Sequence, residues 1–385
     1  MSAITDVLIG CFFSRSVSLE GVGSLVRGLA AEMRRRNLRV RLLLPEGHYS
    51  LSEGVELLTY RPGPLGLVRY RKMLSGASGD LLVLMENNPA MGFSWSAGRG
   101  FGQRVCVFYS PLQGFGLIRE MGLTRQALLH AVGKNGAIAR VHDWSDRRCI
   151  VGSEFQARQL RALGAAQVQV LPVCGLSQAQ PMLARESARV LQNWDRRPVV
   201  GYMGHFSRAK GVDVLVKAFS RYAGPARLAL AHSGKGRLSK HAQRLLNQML
   251  SEDRAILLGE VDVTNFLAAC DVVALPYITS SIFHQPQVML ESFAASTAVL
   301  TSRVGGLAEL VWDGQTGRLV DARDVQAMTD ALAEMTKDLD ATHELGRQGR
   351  RLFDERCSTE SFVTHLLEMS AASIGRGRFV ERIQS

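Results

Sequence analysis

Residues 275–320, LPYITSSIFHQPQVMLESFAASTAVLTSRVGGLAELVWDGQTGRLV, decide the fold class of this chain. The pattern predicts a buried strand that ends in a loop, followed by a helix that opens at Pro286 and carries Glu291. A short apolar strand over residues 298–301, the glycine turn Gly305-Gly306 and a second helix come next. Repeated strand, turn and helix N-terminus is how α/β proteins present backbone N–H groups to phosphates.

The rest of the chain alternates in the same way, with apolar runs separated by helical periodicity and glycine turns. The first half has strand candidates at residues 7–13, 40–44, 81–85, 105–108, 150–152 and 168–173. The second half has them at 199–204, 227–231, 255–258, 272–275 and 298–301. This alternation predicts two tandem Rossmann-like, doubly wound parallel-sheet domains with the ligand site in the cleft between them.

The bulk composition is that of a folded globular protein, with 385 residues, 46% hydrophobic and 21% charged residues. No run approaches the roughly 20 apolar residues that cross a bilayer. The N-terminus has no basic segment before its apolar run, which favours a first core strand over a signal peptide. The six cysteines are scattered without a CxxC pair, which favours buried, reduced thiols in a cytosolic protein.

The formal net charge of +11 lies largely in two basic runs, residues 34–41 and 69–72. The sequence has no helix-turn-helix, RNA-binding sheet motif or zinc module, so nucleic acid is not an expected partner. Two explanations stay open at this point. One is a basic face that contacts anionic lipid, and the other is an ordinary solvated basic surface.

A second glycine-rich turn joins the strand near residue 200 to the next helix. Gly204 allows close backbone approach after the strand, and Lys210-Gly211 stands at the mouth of the helix. A lysine at that place adds a positive charge for a diphosphate. Glu291 lies one turn inside the helix that opens at Pro286. A carboxylate at that place can accept hydrogen bonds from the two hydroxyls of a ribose.

The order and spacing of these residues resemble the donor-binding end of GT-B fold glycosyltransferases, in particular the retaining family 4, the glycosyl transferases group 1. The resemblance spans nearly the whole chain and is specific from residue 199 to 320. It implies transfer of a sugar with retention from a UDP- or GDP-sugar to a glycan or lipid-linked acceptor in cell-envelope polysaccharide or glycolipid synthesis. It also implies that no metal and no other cofactor takes part.

The resemblance assigns roles to individual residues. Lys210, with Arg208 or His205, would stabilise the leaving diphosphate, and Glu291 would hold the ribose. Tyr109 would face the donor sugar, and Glu86, Asn87 and Asn88 would lie on the acceptor side. The remaining donor-binding positions are glycines of the turns, namely Gly21, Gly23, Gly204, Gly211, Gly305 and Gly306.

Three positions depart from the family pattern. His205 stands where the family has arginine, Tyr109 where it commonly has histidine, and Phe283 where it has the first of two glutamates. His284, Gln285 or Gln287 could replace that carboxylate through uncharged hydrogen bonds. Alternatively, Phe283 is a packing residue, and the backbone of its loop holds the sugar.

The resemblance also divides the chain. Residues 1–176 are the expected acceptor-binding domain, 177–197 the interdomain linker and 198–356 the nucleotide-sugar-binding domain. Residues 357–385 would form a helix that returns to the first domain, and a basic tail. The expected location is cytoplasmic, with peripheral contact at the inner face of the cytoplasmic membrane.

Two other classes of function remain open beside the transferase. One is a GT-B relative with different chemistry on nucleotide sugars, such as an epimerase. The other is a non-catalytic partner subunit that binds a nucleotide sugar. The departures from the family pattern at Phe283 and Tyr109 are consistent with a subunit of this kind.

Overall fold

The computed structural model describes most of the chain, and it shows two parallel α/β domains. The described residues are 3–12, 22–47, 49–86, 93–108, 143–172, 174–176, 182–232, 234, 236–279 and 286–371, with the backbone alone at 22–24, 86 and 93. Strands and helices are numbered below over this part of the chain.

The first domain is built on a seven-stranded sheet in which every pairing is parallel. Its strands are β1 (Asp6–Cys11), β2 (Arg39–Pro45), β3 (Val55–Tyr60), β4 (Gly79–Glu86), β5 (Phe101–Phe108), β6 (Arg148–Val151) and β7 (Gln167–Val170). They lie in the order β3-β2-β1-β4-β5-β6-β7. Its helices are α1 (Val22–Arg35), α2 (Gly66–Gly76), α3 (Phe93–Ala97) and α4 (Glu154–Ala162).

The second domain has a six-stranded sheet, also parallel throughout. The strands β8 (Val199–Met203), β9 (Arg227–Ala231), β10 (Ala255–Leu258), β11 (Val272–Leu275), β12 (Ala298–Ser302) and β13 (Gly317–Val320) lie in the order β10-β9-β8-β11-β12-β13. The helices are α5 (Arg185–Leu191), α6 (Val212–Arg221), α7 (Lys240–Ser251), α8 (Val263–Ala269), α9 (Gln287–Ala294), α10 (Leu307–Leu310), α11 (Val325–Lys337) and α12 (Leu339–Leu352).

Each sheet is covered on both faces, which explains the near-continuous apolar runs of the central strands. In β2, Leu42 and Leu44 belong to one hydrophobic cluster, while Leu43 between them belongs to the cluster on the opposite face. In β11, Val272 and Val273 divide in the same way. The predicted fold class is therefore confirmed.

The structure adds two strands that the sequence pattern did not predict, β3 and β13. Both lie at the edges of their sheets, where one side of the strand has no partner. In β3 several side chains are exposed, including Leu57, so the burial pattern lacks the continuous apolar run of an interior strand.

The chain crosses between the domains twice, at residues 174–176 and 357–359, and the two crossings are hydrogen-bonded to each other. The N–H of Cys174 donates to the carbonyl of Cys357 at 2.8 Å, and the N–H of Thr359 donates to the carbonyl of Leu176 at 3.2 Å. The last described helix, α13 (Thr359–Ala371), then packs in the first domain, where Phe362 joins the cluster formed by α1 and the sheet.

The predicted linker, residues 177–197, contains helix α5, which is fastened to the second domain. The side chain of Arg185 donates to the carbonyl of Cys270 at 3.1 Å, and that of Arg189 donates to the carbonyl of Ala269 at 3.0 Å. Residues 182–197 are thus part of the second domain's surface, and residues 177–181 lie outside the described part of the chain.

A buried ionic cluster at the start of β11 explains this attachment. Asp271, only 1% exposed, pairs with Arg189 and accepts from the N–H of Val199 at 2.7 Å, and its other oxygen lies 2.9 Å from His343 Nε2. Burial alone would raise the pKa of Asp271. Hydrogen bonds from His343 and Val199 and the charges of Arg189 and Arg185 outweigh it and hold that pKa below its usual value.

Replacing Asp271 with asparagine is expected to lower the free energy of unfolding by about 2 kcal/mol at pH 7, because buried cations lose their counter-ion. The carboxylate's contribution is present above its unfolded pKa of 3.8 and is lost as the pH falls through the lower folded value. Urea unfolding should therefore show a difference that shrinks in acid. Asp253→Asn, at an exposed pair with Arg197, is the control and should leave the midpoint unchanged. Equal midpoints for both variants would contradict the prediction.

The first basic run, residues 34–41, is largely engaged in internal ion pairs. Arg35 and Arg36 both pair with Glu32, and Arg41 is buried against Asp6 at 2.9 Å. Much of the positive charge of this run is therefore matched by carboxylates of the first domain.

All six cysteines are free and buried, which confirms the prediction that they are buried and not joined in disulfides. Among the described residues, no helix is both long enough and apolar enough to span a membrane.

Candidate functional site

Three predicted donor-binding segments of the second domain follow adjacent strands. The Lys210 turn follows β8, the helix that carries Glu291 follows β11, and the turn Gly305-Gly306 follows β12. β8, β11 and β12 are neighbours in the sheet, and the chain order reverses between β8 and β11. In open α/β sheets, ligands bind beyond the carboxyl ends of the strands at such a reversal, so the topology brings these segments to one site.

The turn after β8 is held in a single conformation by its neighbours. Ser207 caps a short 3₁₀ turn, Arg208–Lys210, by accepting from the N–H of Lys210, and the N–H of Ile278 donates to the carbonyl of Ala209 at 3.0 Å. Gly211 has a φ of 68°, and a side chain there would overlap the carbonyl oxygen of Pro276. The β8 turn is therefore locked against the loop that follows β11.

Lys210 folds back over Gly204. A Cβ atom placed on Gly204, whose φ is 139°, would lie 2.5 Å from Lys210 Nζ, so only glycine leaves room for the ammonium group. Burial lowers the pKa of Lys210 to about 8, because the charged form loses hydration. Most of the lysine is still protonated at neutral pH, and a partly desolvated cation interacts more strongly with a phosphate than an exposed one does.

The other two basic residues of the turn have different surroundings. Arg208 is exposed and His205 is half-buried. The carbonyl of His205 accepts from the hydroxyl of the buried Tyr202 at 2.7 Å, which fixes the backbone of the turn. All three basic residues predicted for the diphosphate thus lie on one turn, and Lys210 is the one whose charge is desolvated.

Glu291 lies on α9, where Pro286 precedes the first turn as predicted. Its side chain is 9% exposed, and burial raises its pKa to about 7. Within the described part of the chain, no group donates a hydrogen bond to this carboxylate. Buried carboxylates are normally paired or hydrogen-bonded, so an unpartnered one at a strand-end site is set up to accept from a ligand.

The turn after β12 presents backbone donors. Gly305 has a φ of 52°, and Gly306 is the N-cap of the short helix α10. Among the described residues, neither N–H donates to a protein acceptor. Two adjacent N–H groups of this kind suit phosphate oxygens.

Gln287, one of the predicted sugar contacts, contacts residues 174–176, the first of the two crossings between the domains. Its Oε1 accepts from the N–H of Gly175 at 3.4 Å. Phe283, His284 and Gln285 lie outside the described residues.

The predicted residues of the first domain are described only in part. Glu86 ends β4, opposite Phe108 of β5, so its backbone lies at the carboxyl edge of the first sheet. Gly23 lies in the first turn of α1. Gly21, Asn87, Asn88 and Tyr109 lie outside the described residues.

The segment after β9 was not among the predicted site residues. Its described residues are 232, 234 and 236, and His232 and Gly236 pack on the Lys210 turn. The ring of His232 stacks on Phe206 with centroids 3.9 Å apart, and Gly236, with a φ of 89°, bridges the backbone of Phe206. Two glycines directly after a strand were the signal that could have placed it beside the site.

Comparison with known proteins identifies the second domain. Residues 197–338 match the family model described as glycosyl transferases group 1. The chain is 32% identical over 189 residues to alpha-maltose-1-phosphate synthase of Mycolicibacterium smegmatis, covering 45% of this chain and 46% of that protein. It is 29% identical over 226 residues to a GDP-mannose-dependent alpha-(1-6)-phosphatidylinositol monomannoside mannosyltransferase of Mycobacterium tuberculosis, covering 55% and 58%. The chain thus matches about half the length of these curated relatives.

The likeness of the fold extends over both domains. The structure superimposes on sucrose-phosphate synthase from Thermosynechococcus elongatus with a TM-score of 0.75 and 19% identity, covering 95% of this chain and 98% of that one. Residues 197–338 of the second domain are thus similar to the glycosyl transferases group 1, and the chain as a whole has the GT-B fold.

Proposed function

We propose that this protein is a retaining glycosyltransferase that moves a sugar from a nucleotide-diphosphate sugar to a glycan or lipid-linked acceptor in the synthesis of envelope polysaccharide or glycolipid. The observation that carries the proposal is Glu291, a buried carboxylate with no partner among the described residues. It lies on α9, which follows β11, and β11 is the neighbour of β8, the strand that leads to the desolvated Lys210. A carboxylate for two hydroxyls and a cation for a diphosphate are complementary to the two ends of a nucleoside diphosphate.

In the proposed reaction, the bond between the anomeric carbon and the diphosphate oxygen breaks. The acceptor hydroxyl forms a new bond to the same face of that carbon, and its proton passes to the leaving diphosphate oxygen. Negative charge grows on the diphosphate as the bond breaks. Lys210, the N–H groups of Gly305 and Gly306, and Arg208 or His205 are placed to stabilise this charge, so no metal is required by the mechanism.

The printed names of the relatives support the donor and acceptor classes. The mycobacterial mannosyltransferase takes GDP-mannose and a phosphatidylinositol mannoside, which are a nucleotide-diphosphate sugar and a lipid acceptor. We propose a donor and an acceptor of the same chemical classes for this chain.

The proposal can be tested with a panel of UDP- and GDP-sugars. Binding is measured first by thermal shift, and turnover is then measured with acceptors in the presence of EDTA. The expected result is a raised melting temperature with one nucleotide class and release of that nucleoside diphosphate when an acceptor is added. Binding without release across the acceptor panel would favour a non-catalytic partner subunit. Conversion of the sugar nucleotide to an isomer would favour an epimerase.

Helix α2 supplies a surface for the membrane contact that a lipid acceptor needs. Leu65 and Val68 are 58% and 63% exposed, and Arg61, Arg69 and Lys72, which lie close to them in the sequence, are exposed as well. None of these three basic residues forms an ion pair with a described residue. An apolar strip with basic residues beside it suits an anionic bilayer, so we propose peripheral contact at the inner face of the cytoplasmic membrane through this face of α2.

The double variant Leu65→Glu with Val68→Glu is expected to reduce co-sedimentation with phosphatidylglycerol vesicles at low salt by about tenfold, because it removes apolar contact and adds repulsion. The matched control is Val190→Glu with Leu191→Glu, which changes another exposed apolar pair, on α5. Failure of the unmodified protein to sediment with these vesicles would overturn the membrane contact and leave the transferase proposal intact.

A further inference from the structure

Glu309, on α10 of the second domain, makes a direct contact with the first domain. Its Oε2 accepts from the N–H of Glu154 at 2.6 Å, and its Oε1 accepts from the N–H of Phe155 at 2.7 Å. These two N–H groups are the first two of helix α4. One carboxylate of the second domain therefore binds the N-terminus of a helix in the first domain through both of its oxygens.

This contact completes the capping of α4. The N–H groups of a helix's first turn have no partner within the helix. Ser153 accepts from the third of them, that of Gln156, at 3.2 Å, and Glu309 accepts from the first two. The negative charge also suits the positive end of the helix dipole. If the domains separated, water would have to replace the charged acceptor.

The contact joins the two halves of the proposed site. Glu309 follows the phosphate-facing turn Gly305-Gly306 by three residues. Across the cleft, the side chain of Gln156 donates to the carbonyl of Phe108 at 3.2 Å and accepts from the N–H of Gly152 at 3.0 Å. The first turn of α4 is thus fastened to the end of β5, directly before Tyr109.

We propose that Glu309 is a positioning residue that couples the two domains. Its carboxylate on the N-terminus of α4, called here the interdomain cap, sets the distance between the Gly305-Gly306 turn and the end of β5. Opening of the cleft requires the cap to break, and closure forms it again. The covalent crossings at 174–176 and 357–359 connect the domains, while the interdomain cap selects their angle.

The distance effect of the interdomain cap is a property of the fold and does not depend on the proposed function. The expected effect of the interdomain cap on kcat does rest on the proposed function. Because Glu309 is hydrogen-bonded to α4, loss of its carboxylate should misplace the sugar and the acceptor relative to each other and so lower kcat. The dissociation constant of the nucleotide should stay the same.

The test measures the distance between the domains directly. Spin labels are attached at Ser75→Cys and Arg244→Cys, which are exposed positions in different domains, and pulsed electron paramagnetic resonance measures the distance between them. The six native cysteines are buried and should not react with the label. In Glu309→Ala, we expect the population with the parent distance to fall roughly tenfold relative to longer distances, because a charged hydrogen bond is lost. Glu309→Gln keeps the volume and one acceptor and should show a smaller shift in the same direction.

Glu334→Gln is the matched control, since Glu334 is an exposed carboxylate of the same domain that pairs with Arg318. Its distance distribution should equal that of the parent. Melting temperatures check that each variant is folded. If Glu309→Ala does not fold, the distance measurement on Glu309→Gln takes its place. Distance distributions of the Glu309 variants that superimpose on the parent's would overturn the proposal. A shifted distribution without any transferase activity would keep the interdomain cap and remove the proposed function.

Discussion

Lys210→Met is expected to lower kcat by about 100-fold or more, with a smaller loss of nucleoside-diphosphate affinity. The variant keeps the length and apolar stem of the side chain and removes only the ammonium charge. That charge matters most in the transition state, when the diphosphate leaves, and removing one preorganised donor from a developing anion typically costs about 100- to 1,000-fold. Steady-state kinetics with nucleotide release as the readout measures the effect, and calorimetry measures the affinity.

Two comparisons make this result specific. Lys337→Met removes a lysine from the exposed end of α11 and should leave kcat unchanged. Arg208→Ala should have a smaller effect than Lys210→Met, because Arg208 is exposed and its charge is screened by water. A Lys210→Met variant with kcat within threefold of the parent would remove Lys210 from the mechanism.

Glu291→Gln is expected to stabilise the nucleotide-free protein and to weaken nucleotide binding. The folded pKa of about 7 lies above the unfolded value of 4.5, so the stability present below 4.5 is lost as the pH rises to 7. At pH 8 the buried carboxylate is charged, at a cost of about 3 kcal/mol by the conversion of pKa shifts to free energy. The neutral amide avoids this cost, so urea unfolding at pH 8 should show a more stable variant, whereas at pH 4 the two proteins should be similar.

The same substitution should reduce nucleotide affinity roughly tenfold at pH 7.5, because an amide oxygen is a weaker acceptor than a carboxylate for two hydroxyls. In the parent, affinity should rise as Glu291 ionises near pH 7 and fall as Lys210 loses its proton near pH 8. The rising limb should be absent from Glu291→Gln.

Glu260→Gln, at an exposed carboxylate of the same domain, is the control for both measurements. If Glu291→Gln left the stability at pH 8 unchanged and bound nucleotide as the parent does, the carboxylate would have no role in the site.

Much of the candidate site could be predicted from local sequence. Gly204, Lys210, Glu291 and the turn Gly305-Gly306 stand at strand ends, and strand ends are visible in the sequence as apolar runs that stop at glycines. Parallel topology then brings those ends to one edge of the sheet, so their grouping follows from the fold class alone.

The sequence could not separate the two basic runs. Residues 34–41 and 69–72 have similar composition, yet Arg35 and Arg36 pair with Glu32, while Arg69 and Lys72 face outward on α2. The difference depends on which helix face meets the core and where the acidic partners lie. A count of charges contains neither fact.

The sequence by itself thus determined the two-domain α/β plan, the buried cysteines and the positions of the turns that we predict bind the donor, because periodicity and turn residues are local properties. Only the tertiary structure decided that Glu291 is buried with no partner among the described residues, that Asp271 anchors α5, and that Glu309 caps α4. The last two contacts join residues 82 and 155 positions apart. Burial and long-range partners depend on how the elements pack, and that packing is what gives these carboxylates their chemistry.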